Sequence, residues 1–226
     1  RSSYYYDYRE NKGNPELYTM PATGGEPPRI TVSEESEMQP VWRPDGKKIA
    51  YLRANDKGMQ IWEADPDGKN AKAISNVDGD INGFSYAPDM KHICYFQNVQ
   101  LEQTIEERYP DLPDAEAMIY DDLMYRHWNF WADGTYSHLI VIDYPSMDNA
   151  VDLLENQKYH CPNPPFGGME EVAWLPDGSK LVYCCKKLAG KEFAESINTD
   201  IYLYDLKTKI TQNLTEFNKG YDMEIA

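Results

Sequence analysis

Hydrophobic and polar positions along the chain follow one short pattern that occurs three times, at residues 42–52, 86–96 and 174–184. Each copy has an aromatic residue, a Pro-Asp pair, further polar residues, and then an apolar run with Tyr at a fixed place. Pro presets φ for a turn, Asp bonds back to the backbone, and Gly takes a positive φ. Apolar runs on both sides of such a turn predict a strand–turn–strand unit.

The spacing of apolar positions outside these copies repeats as well. Three pairs lie 13 residues apart: Leu17 and Ile30, Ile61 and Ile74, and Ile201 and Leu214. The first two Pro-Asp turns are separated by 44 residues. A four-stranded unit with a period of roughly 40–45 residues is typical of a β-propeller blade. The sequence therefore predicts an all-β fold, a partial β-propeller of about four four-stranded blades.

The predicted blades cover about residues 1–31, 32–77, 78–158 and 159–215, and residues 216–226 begin a further blade. The aromatic residues that open the three copies of the pattern are predicted to be equivalent core sites: Trp42, Tyr86 and Trp174.

The third blade is 34 residues longer than the second between equivalent positions, which places an insertion at about residues 97–135. Within it, residues 114–125 have helical rather than strand spacing, which predicts a helix there. The fold prediction is therefore a propeller with a helical insertion in its third blade.

Composition narrows the functional classes. The chain has 38 acidic against 22 basic residues and a formal charge of −16, which argues against nucleic acid as a partner. No apolar run approaches the length of a membrane span, and no signal peptide is visible. The chain begins with Arg1 rather than Met, so we expect it to be part of a longer protein.

The four cysteines do not make a disulfide framework. Cys94 and Cys184 fall in predicted strands, where a Cys behaves as a small buried hydrophobe. Cys184 and Cys185 face opposite sides of one strand, and Cys161, in a Pro-rich loop, is the thiol predicted to be exposed. No Cys/His ligand spacing occurs, so we predict neither a metal site nor a cofactor.

Three motifs that resemble functional sites are interpreted as structural. Residues 83–87 resemble a G-x-S-x-G nucleophile elbow, but the final Gly is absent and the segment is a predicted first strand. Residues 65–68 and 78–80 look like fragments of calcium loops but lack the further oxygen ligands of a real loop. Since no His has an obvious orienting acid, we predict no catalytic residue in this chain.

The insertion holds one unusual cluster, residues 125–131, in which Arg and two Trp lie outside the repeat pattern. Such residues anchor ligands and interfaces; alternatively, they pin the insertion to the blade. The candidate substrate-binding residues of this cluster are Arg126, His127, Trp128 and Trp131. The adjacent acids Glu170 and Glu171 could bind a substrate ammonium group, and the alternative is two solvated carboxylates.

The repeats and the insertion resemble a known family. Residues 44–51, their copy at 176–183 and the ending at 212–215 look like the propeller repeats of TolB-like proteins and of the prolyl oligopeptidase family of serine peptidases. Residues 119–128 and 131–134 of the insertion resemble the propeller of dipeptidyl and acylaminoacyl peptidases in that family.

The resemblance implies a propeller that covers a C-terminal α/β-hydrolase domain with a Ser-Asp-His triad and admits only short peptides. No residue here matches the triad, so the hydrolase domain is an expected partner outside this chain. In dipeptidyl-peptidase relatives a Glu pair and an Arg hold the substrate's free N-terminus, and Glu170, Glu171 and Arg126 are the candidates here. The resemblance also implies a periplasmic or otherwise exported location. The alternative is a TolB-like binding module with no peptidase domain.

Residues 216–226 supply the kind of strand that residues 1–31 lack. We expect these segments to pair, either within one chain or between two, and the second arrangement gives a homodimer through open sheet edges.

Overall fold

The computed structural model describes residues 2–114, 117–223 and 225, with side chains from residue 6 onward. Within this part of the chain, the strands form three four-stranded sheets, an N-terminal strand pair and one short hairpin. The chain divides into two compact units, Arg1–Tyr95 with Ile142–Ala150, and Phe96–Val141 with Val151–Ala226. The all-β prediction is confirmed.

The elements follow one another in a simple order. The strand pair consists of β1 (Ser2–Asp7) and β2 (Lys12–Leu17). The first sheet consists of β3 (Met38–Trp42), β4 (Ile49–Asn55), β5 (Gly58–Ala64) and β6 (Lys72–Ala73), all antiparallel.

The second sheet begins with β7 (Ile81–Tyr86) and β8 (His92–Gln100). The insertion follows, with helix α1 (Ile105–Arg108) and the hairpin strands β9 (Arg126–His127) and β10 (Phe130–Trp131). The chain then returns to the same sheet as β11 (Thr135–Asp143) and β12 (Val151–Asp152).

The third sheet is again antiparallel, in the order β13 (Val172–Trp174), β14 (Lys180–Cys185), β15 (Asp200–Asp205) and β16 (Ile210–Asn213). A 3-10 helix, Met169–Glu171, precedes it, and helix α2, Gly190–Glu195, lies between β14 and β15.

The three Pro-Asp turns have the chemistry predicted from the sequence. In each turn the Asp carboxylate accepts a hydrogen bond of 3.0–3.1 Å from the backbone N–H two residues on, at Asp45, Asp89 and Asp177. The following residue has a φ of 68°, 58° or 72° at Gly46, Met90 and Gly178. Met90 thus adopts the left-handed conformation for which the other two copies have Gly.

The 13-residue spacing reflects a hydrogen bond that joins the third strand of a repeat to the end of the same repeat, and it occurs in three of the repeats. The N–H of Ile30, Ile74 or Leu214 donates to the carbonyl oxygen 13 residues earlier at 2.8 Å. The residue that follows has a hydroxyl, which accepts from the third-strand N–H at 2.8–2.9 Å: Thr31, Ser75 and Thr215. Backbone groups that would otherwise be buried without partners are thereby paired. We call this arrangement the strand latch.

At Thr31 and Ser75, the hydroxyl of the strand latch also donates a hydrogen bond to the side chain of the residue just before the third-strand residue. Thr31 donates to Glu16 and Ser75 donates to Gln60, both at 2.8 Å. In the repeat with the insertion, His138 occupies the equivalent place and no hydroxyl is available. There Nδ1 of the fully buried His138 lies 2.7 Å from Asp152, and its Nε2 lies 3.0 Å from the carbonyl oxygen of Gln157.

A buried carboxylate in the first unit binds three polar side chains. The carboxylate of Glu63, 4% exposed, accepts hydrogen bonds from the hydroxyls of Tyr86 at 2.8 Å and Tyr144 at 2.7 Å. Arg43 lies 3.3 Å from the other oxygen of Glu63 and forms a two-bond pair with Asp45. That pair holds the pKa of Asp45 at about 2, and burial raises the pKa of Tyr144 to about 12.

The prediction of three equivalent core aromatics is wrong for one of them. Tyr86 is 7% exposed, and Trp174 is half-buried. Trp42 is 56% exposed, because it lies at an apolar groove of about 640 Å³ between the strand pair and β3 that the neighbouring side chains do not fill. These residues occupy equivalent positions in the sequence repeat, but different neighbouring residues cover them in the structure.

The cysteine prediction is also partly wrong. Cys161 is fully buried because its N–H donates to the carbonyl oxygen of Ser137 at 2.8 Å, which holds the loop against β11. Cys184 and Cys185 face opposite sides of β14, but both are fully buried because both faces of this strand are covered. Burial raises the pKa of each of these two thiols to about 12.

The helix predicted for residues 114–125 is wrong where it can be compared. Residues 117–120 are irregular and residues 121–123 form bends, while residues 115–116 lie outside the described residues. Helical spacing alone does not stabilise a helix with no packed face, and the apolar side chains here remain largely exposed. Among the described residues of the insertion, the helix is the short α1, which begins with a capping box between Thr104 and Glu107.

Within one chain, the C-terminal segment pairs differently from the prediction. Tyr221 forms a parallel bridge with Thr199, and the Thr199 hydroxyl donates to the carbonyl oxygen of Asp222 at 2.5 Å. The expected partner was the N-terminal strand pair, and the observed partner is Thr199, the residue before β15.

Removal of the latch hydroxyl at Thr31 tests its contribution to stability. The substitution Thr31→Val keeps the side-chain shape but leaves the Leu17 N–H and a Glu16 oxygen unpaired. The free energy of unfolding measured in urea should fall by about 1–3 kcal/mol. The exposed Thr23 is the control, since Thr23→Val should change stability by less than about 0.5 kcal/mol. Equal costs at both positions would contradict the latch.

The pair Tyr86 and Trp42 separates burial from sequence equivalence. Tyr86→Ala should cost about 3–5 kcal/mol of unfolding free energy, as expected for a large buried aromatic side chain. Trp42→Ala should cost clearly less, because more than half of its side chain is already exposed. Urea denaturation of both variants measures the difference, and a larger loss for Trp42 would show that the groove is closed in solution.

Candidate functional site

Four of the six candidate residues lie on the β9–β10 hairpin of the insertion. His127 pairs with Phe130 and Arg126 pairs with Trp131 across the two strands. Trp128 occupies the turn with a φ of 50°. The N–H of Ala132 donates to the carbonyl oxygen of Tyr125 at 2.9 Å and extends the ladder by one pair.

Trp131 belongs to a small aromatic cluster that holds the hairpin to the preceding segment. Its ring centroid lies 6.0 Å from that of Tyr120 and 6.3 Å from that of Tyr125. The Tyr120 hydroxyl donates to the carbonyl oxygen of Ala132 at 2.9 Å. The guanidinium carbon of Arg126 lies 5.2 Å from the Trp131 centroid, and its Nε donates to the carbonyl oxygen of Trp128. Arg126 and Trp131 thus help to hold the insertion together.

The ring of Trp128 lies near a residue that the sequence did not indicate. Its ring lies 5.5 Å from the ring of Phe166 and 4.8 Å from that of His127. Trp128 is 61% exposed and Phe166 is 78% exposed, so the two rings form an accessible aromatic pair. Phe166 lies four residues before Glu170, and the contact therefore joins the hairpin to the segment that carries the two acids.

The adjacent acids Glu170 and Glu171 have different environments. Glu170 is exposed, which agrees with the alternative of a solvated carboxylate. Glu171 is 2% exposed, so that alternative does not hold for Glu171. Its carboxylate accepts hydrogen bonds from the backbone N–H of Asn163 at 2.7 Å and from the Asn163 side-chain amide at 3.0 Å. Burial raises the pKa of Glu171.

The serine, histidine and calcium-loop motifs considered in the sequence analysis have structural contacts in the described part of the chain. Ser85 lies in β7, which is followed by a turn and β8 rather than by a helix. Burial lowers the pKa of His160 to about 4, and its Nδ1 accepts from the N–H of Ser137 at 3.2 Å. Asp80 accepts from the N–H of Met59 at 2.7 Å and closes a loop onto β5. Within the described ranges, no group of three or more His, Cys, Asp or Glu residues is placed to hold a metal ion.

Comparison with known proteins gives clear relatives by sequence. No protein-family model matches the chain. It is 34% identical over 224 residues to dipeptidyl-peptidase 5 of Porphyromonas gingivalis, which covers 96% of this chain and 32% of that protein. It is 33% identical over 216 residues to dipeptidyl-peptidase 5 of Porphyromonas endodontalis, with 95% and 31% covered. The chain therefore spans about a third of the length of these curated relatives.

Solved structures give the fold. An acylaminoacyl peptidase in complex with Z-Gly-Gly-Phe-chloromethyl ketone superposes with a TM-score of 0.64 at 20% identity, covering 95% of this chain and 30% of that one. TolB from Acinetobacter baumannii superposes with a TM-score of 0.51 at 19% identity, covering 91% and 39%. At these identities the likeness concerns the fold alone.

No helix in the described part of the chain is both long and apolar enough to cross a membrane.

The sequence relatives and the shared fold together confirm the predicted resemblance: this chain is similar to the propeller portion of peptidases of the prolyl oligopeptidase family.

Proposed function

We propose that this chain is the non-catalytic, substrate-gating β-propeller portion of a prolyl-oligopeptidase-family serine peptidase that cleaves short peptides. The observation that carries the proposal is the identity of 34% with dipeptidyl-peptidase 5 across 96% of the chain. The alternative, a TolB-like propeller that binds a protein or ligand without a peptidase domain, has a fold-level likeness at 19% identity in its support. Sequence identity favours the peptidase.

The finer architecture belongs to the same proposal. In it, each four-stranded sheet is one blade of a partial propeller, and the N-terminal strand pair is part of a fourth. The catalytic partner is an α/β-hydrolase domain with its own Ser-Asp-His triad. A homodimer through open sheet edges stays a prediction, as does an exported location.

The exposed aromatic pair and Glu170 support a role in peptide binding. Trp128 and Phe166 offer two accessible rings, and Glu170 is an exposed carboxylate on the segment that Phe166 belongs to. A carboxylate forms charge-assisted hydrogen bonds with the ammonium group of a free peptide N-terminus. We assign peptide contact to Trp128, His127 and Glu170, and support of the hairpin to Arg126 and Trp131.

Peptide binding to the purified chain tests this proposal. A tripeptide with a free amino terminus should bind more tightly in calorimetry than its N-acetylated form. Glu170→Gln should reduce that difference by about tenfold, which corresponds to about 1.4 kcal/mol. The exposed Glu155 provides the control, and Glu155→Gln should leave the difference unchanged. A preference for the acetylated peptide would point instead to an acylaminoacyl-type site, and no binding of either would favour the TolB-like alternative.

The isolated chain should not hydrolyse peptides, because it has no nucleophile elbow with an adjacent base. Chromogenic dipeptidyl and acylaminoacyl substrates measure this directly. Turnover that a serine-directed inhibitor abolishes would contradict the assignment of the chain as non-catalytic.

Two tryptophans of the hairpin should separate binding from folding. Trp128→Ala should weaken peptide binding and change the unfolding free energy by less than about 0.5 kcal/mol, because Trp128 is mostly exposed. Trp131→Ala removes the centre of the aromatic cluster and should speed amide hydrogen exchange in residues 120–132. Equal exchange in both variants would remove the distinction between the two roles.

A further inference from the structure

Glu171, the buried acid of the adjacent pair, holds the two ends of a short loop together. Glu171 accepts two hydrogen bonds from Asn163, and both donors reach the same oxygen, Oε2. The N–H of Gly167 donates to the carbonyl oxygen of Asn163 at 2.8 Å, and the N–H of Glu171 donates to that of Gly168 at 3.1 Å. Residues 163–171 therefore form a closed loop around one carboxylate.

The loop leaves no room for a side chain next to that carboxylate. A Cβ at Gly167 would lie 2.5 Å from the carbonyl oxygen of Asn163 and 2.7 Å from Oε2 of Glu171. Both distances are far shorter than a van der Waals contact between such atoms. The backbone passes this close to Glu171 only because residue 167 is Gly.

The beginning of the loop is fixed to residues of the second and third sheets. Oδ1 of Asn163 accepts from the N–H of Lys186, directly after β14, at 2.8 Å. The N–H of Cys161 donates to the carbonyl oxygen of Ser137 in β11 at 2.8 Å, and the Ser137 hydroxyl donates to that of Cys161 at 3.2 Å. The base of the loop is thus held by two strands.

Two exposed groups, Phe166 and Glu170, are carried by this fixed loop, and the buried carboxylate cannot reach a ligand. We infer that Glu171 and Asn163 form a positioning pair, which fixes residues 163–171 so that Phe166 lies against Trp128 and Glu170 faces the peptide. The inference rests on the proposed peptide-binding function, and it gives the two adjacent acids different tasks. Glu170 contacts the ligand, and Glu171 acts through the loop.

The positioning role depends on hydrogen-bond acceptance rather than on charge. The amide oxygen of Gln can accept both hydrogen bonds from Asn163, and a neutral amide avoids the cost of burying an ionised carboxylate. Glu171→Gln should therefore preserve the loop, whereas Glu171→Ala leaves both N–H groups of Asn163 without their acceptor. A residue that bound an ammonium group directly would show no such rescue.

The experiment compares Glu171→Gln, Glu171→Ala and Glu170→Gln in the 226-residue chain. Hydrogen exchange of residues 161–170 reports the loop, and calorimetry with the free-amino tripeptide reports binding. Glu171→Ala should speed exchange and weaken binding by about tenfold or more, while Glu171→Gln stays within about twofold of the native chain in both. Glu170→Gln should weaken binding and leave loop exchange unchanged.

Each other outcome decides against a defined part of this scheme. Loss of binding in Glu171→Gln with unchanged exchange would make Glu171 a direct contact and overturn the inference. Unchanged exchange in Glu171→Ala would overturn it as well. If the native chain binds no tripeptide, the proposed function fails, and the exchange rates of the two Glu171 variants still test the positioning pair.

A second variant covers the case in which Glu171→Ala does not fold. Gly167→Ala keeps every charge and introduces a methyl group against Glu171 and Asn163, so it should also speed loop exchange and weaken binding. The control is Gly220→Ala, whose Cβ would meet its nearest atom at 3.4 Å. Equal effects of the two alanine substitutions would contradict the inference.

Discussion

The structure depends on one recurring interaction, the strand latch between the third strand of a repeat and the residues that end that repeat. At Ile61, for example, the carbonyl oxygen accepts a hydrogen bond from the N–H of Ile74, and the N–H donates one to the hydroxyl of Ser75. Buried backbone groups left unpaired would cost about 1–3 kcal/mol each. In the strand pair and in the first and third sheets, the latch therefore pairs the backbone groups at the end of the repeat.

The second sheet accommodates its insertion without the hydroxyl of the latch. The extra residues enter between β8 and β11, at the ends of the strands, where added chain disturbs little packing. The repeat still closes through Leu153 and Leu139, with a 3.0 Å hydrogen bond. The pair of His138 and Asp152 takes the place of the pair that the hydroxyl forms with Glu16 or Gln60 in other repeats. The sheet thus carries a long inserted segment, and loops on a scaffold are a usual place for a binding surface.

The candidate site combines groups of different origin. The hairpin holds itself together through Trp131 and Arg126, and the segment from Asn163 to Glu171 is held by a buried carboxylate. The Trp128–Phe166 contact is the point at which these two parts meet. Exposed aromatic rings on supported segments lose little conformational freedom when they bind a ligand, which agrees with our proposal that this surface binds a peptide.

The sequence by itself determined the repeats, the Pro-Asp turns and the 13-residue spacing, because each depends on backbone chemistry within a short stretch of chain. It also singled out the cluster at residues 125–131 and the acidic pair by their residue types, but not the hairpin that the cluster forms. The tertiary structure decided which side chains are covered: Trp42 is exposed while Cys161 and Glu171 are buried. It also brought Phe166 to Trp128, 38 residues away in the sequence. Burial depends on which distant segments lie over a residue, and no local pattern specifies those segments.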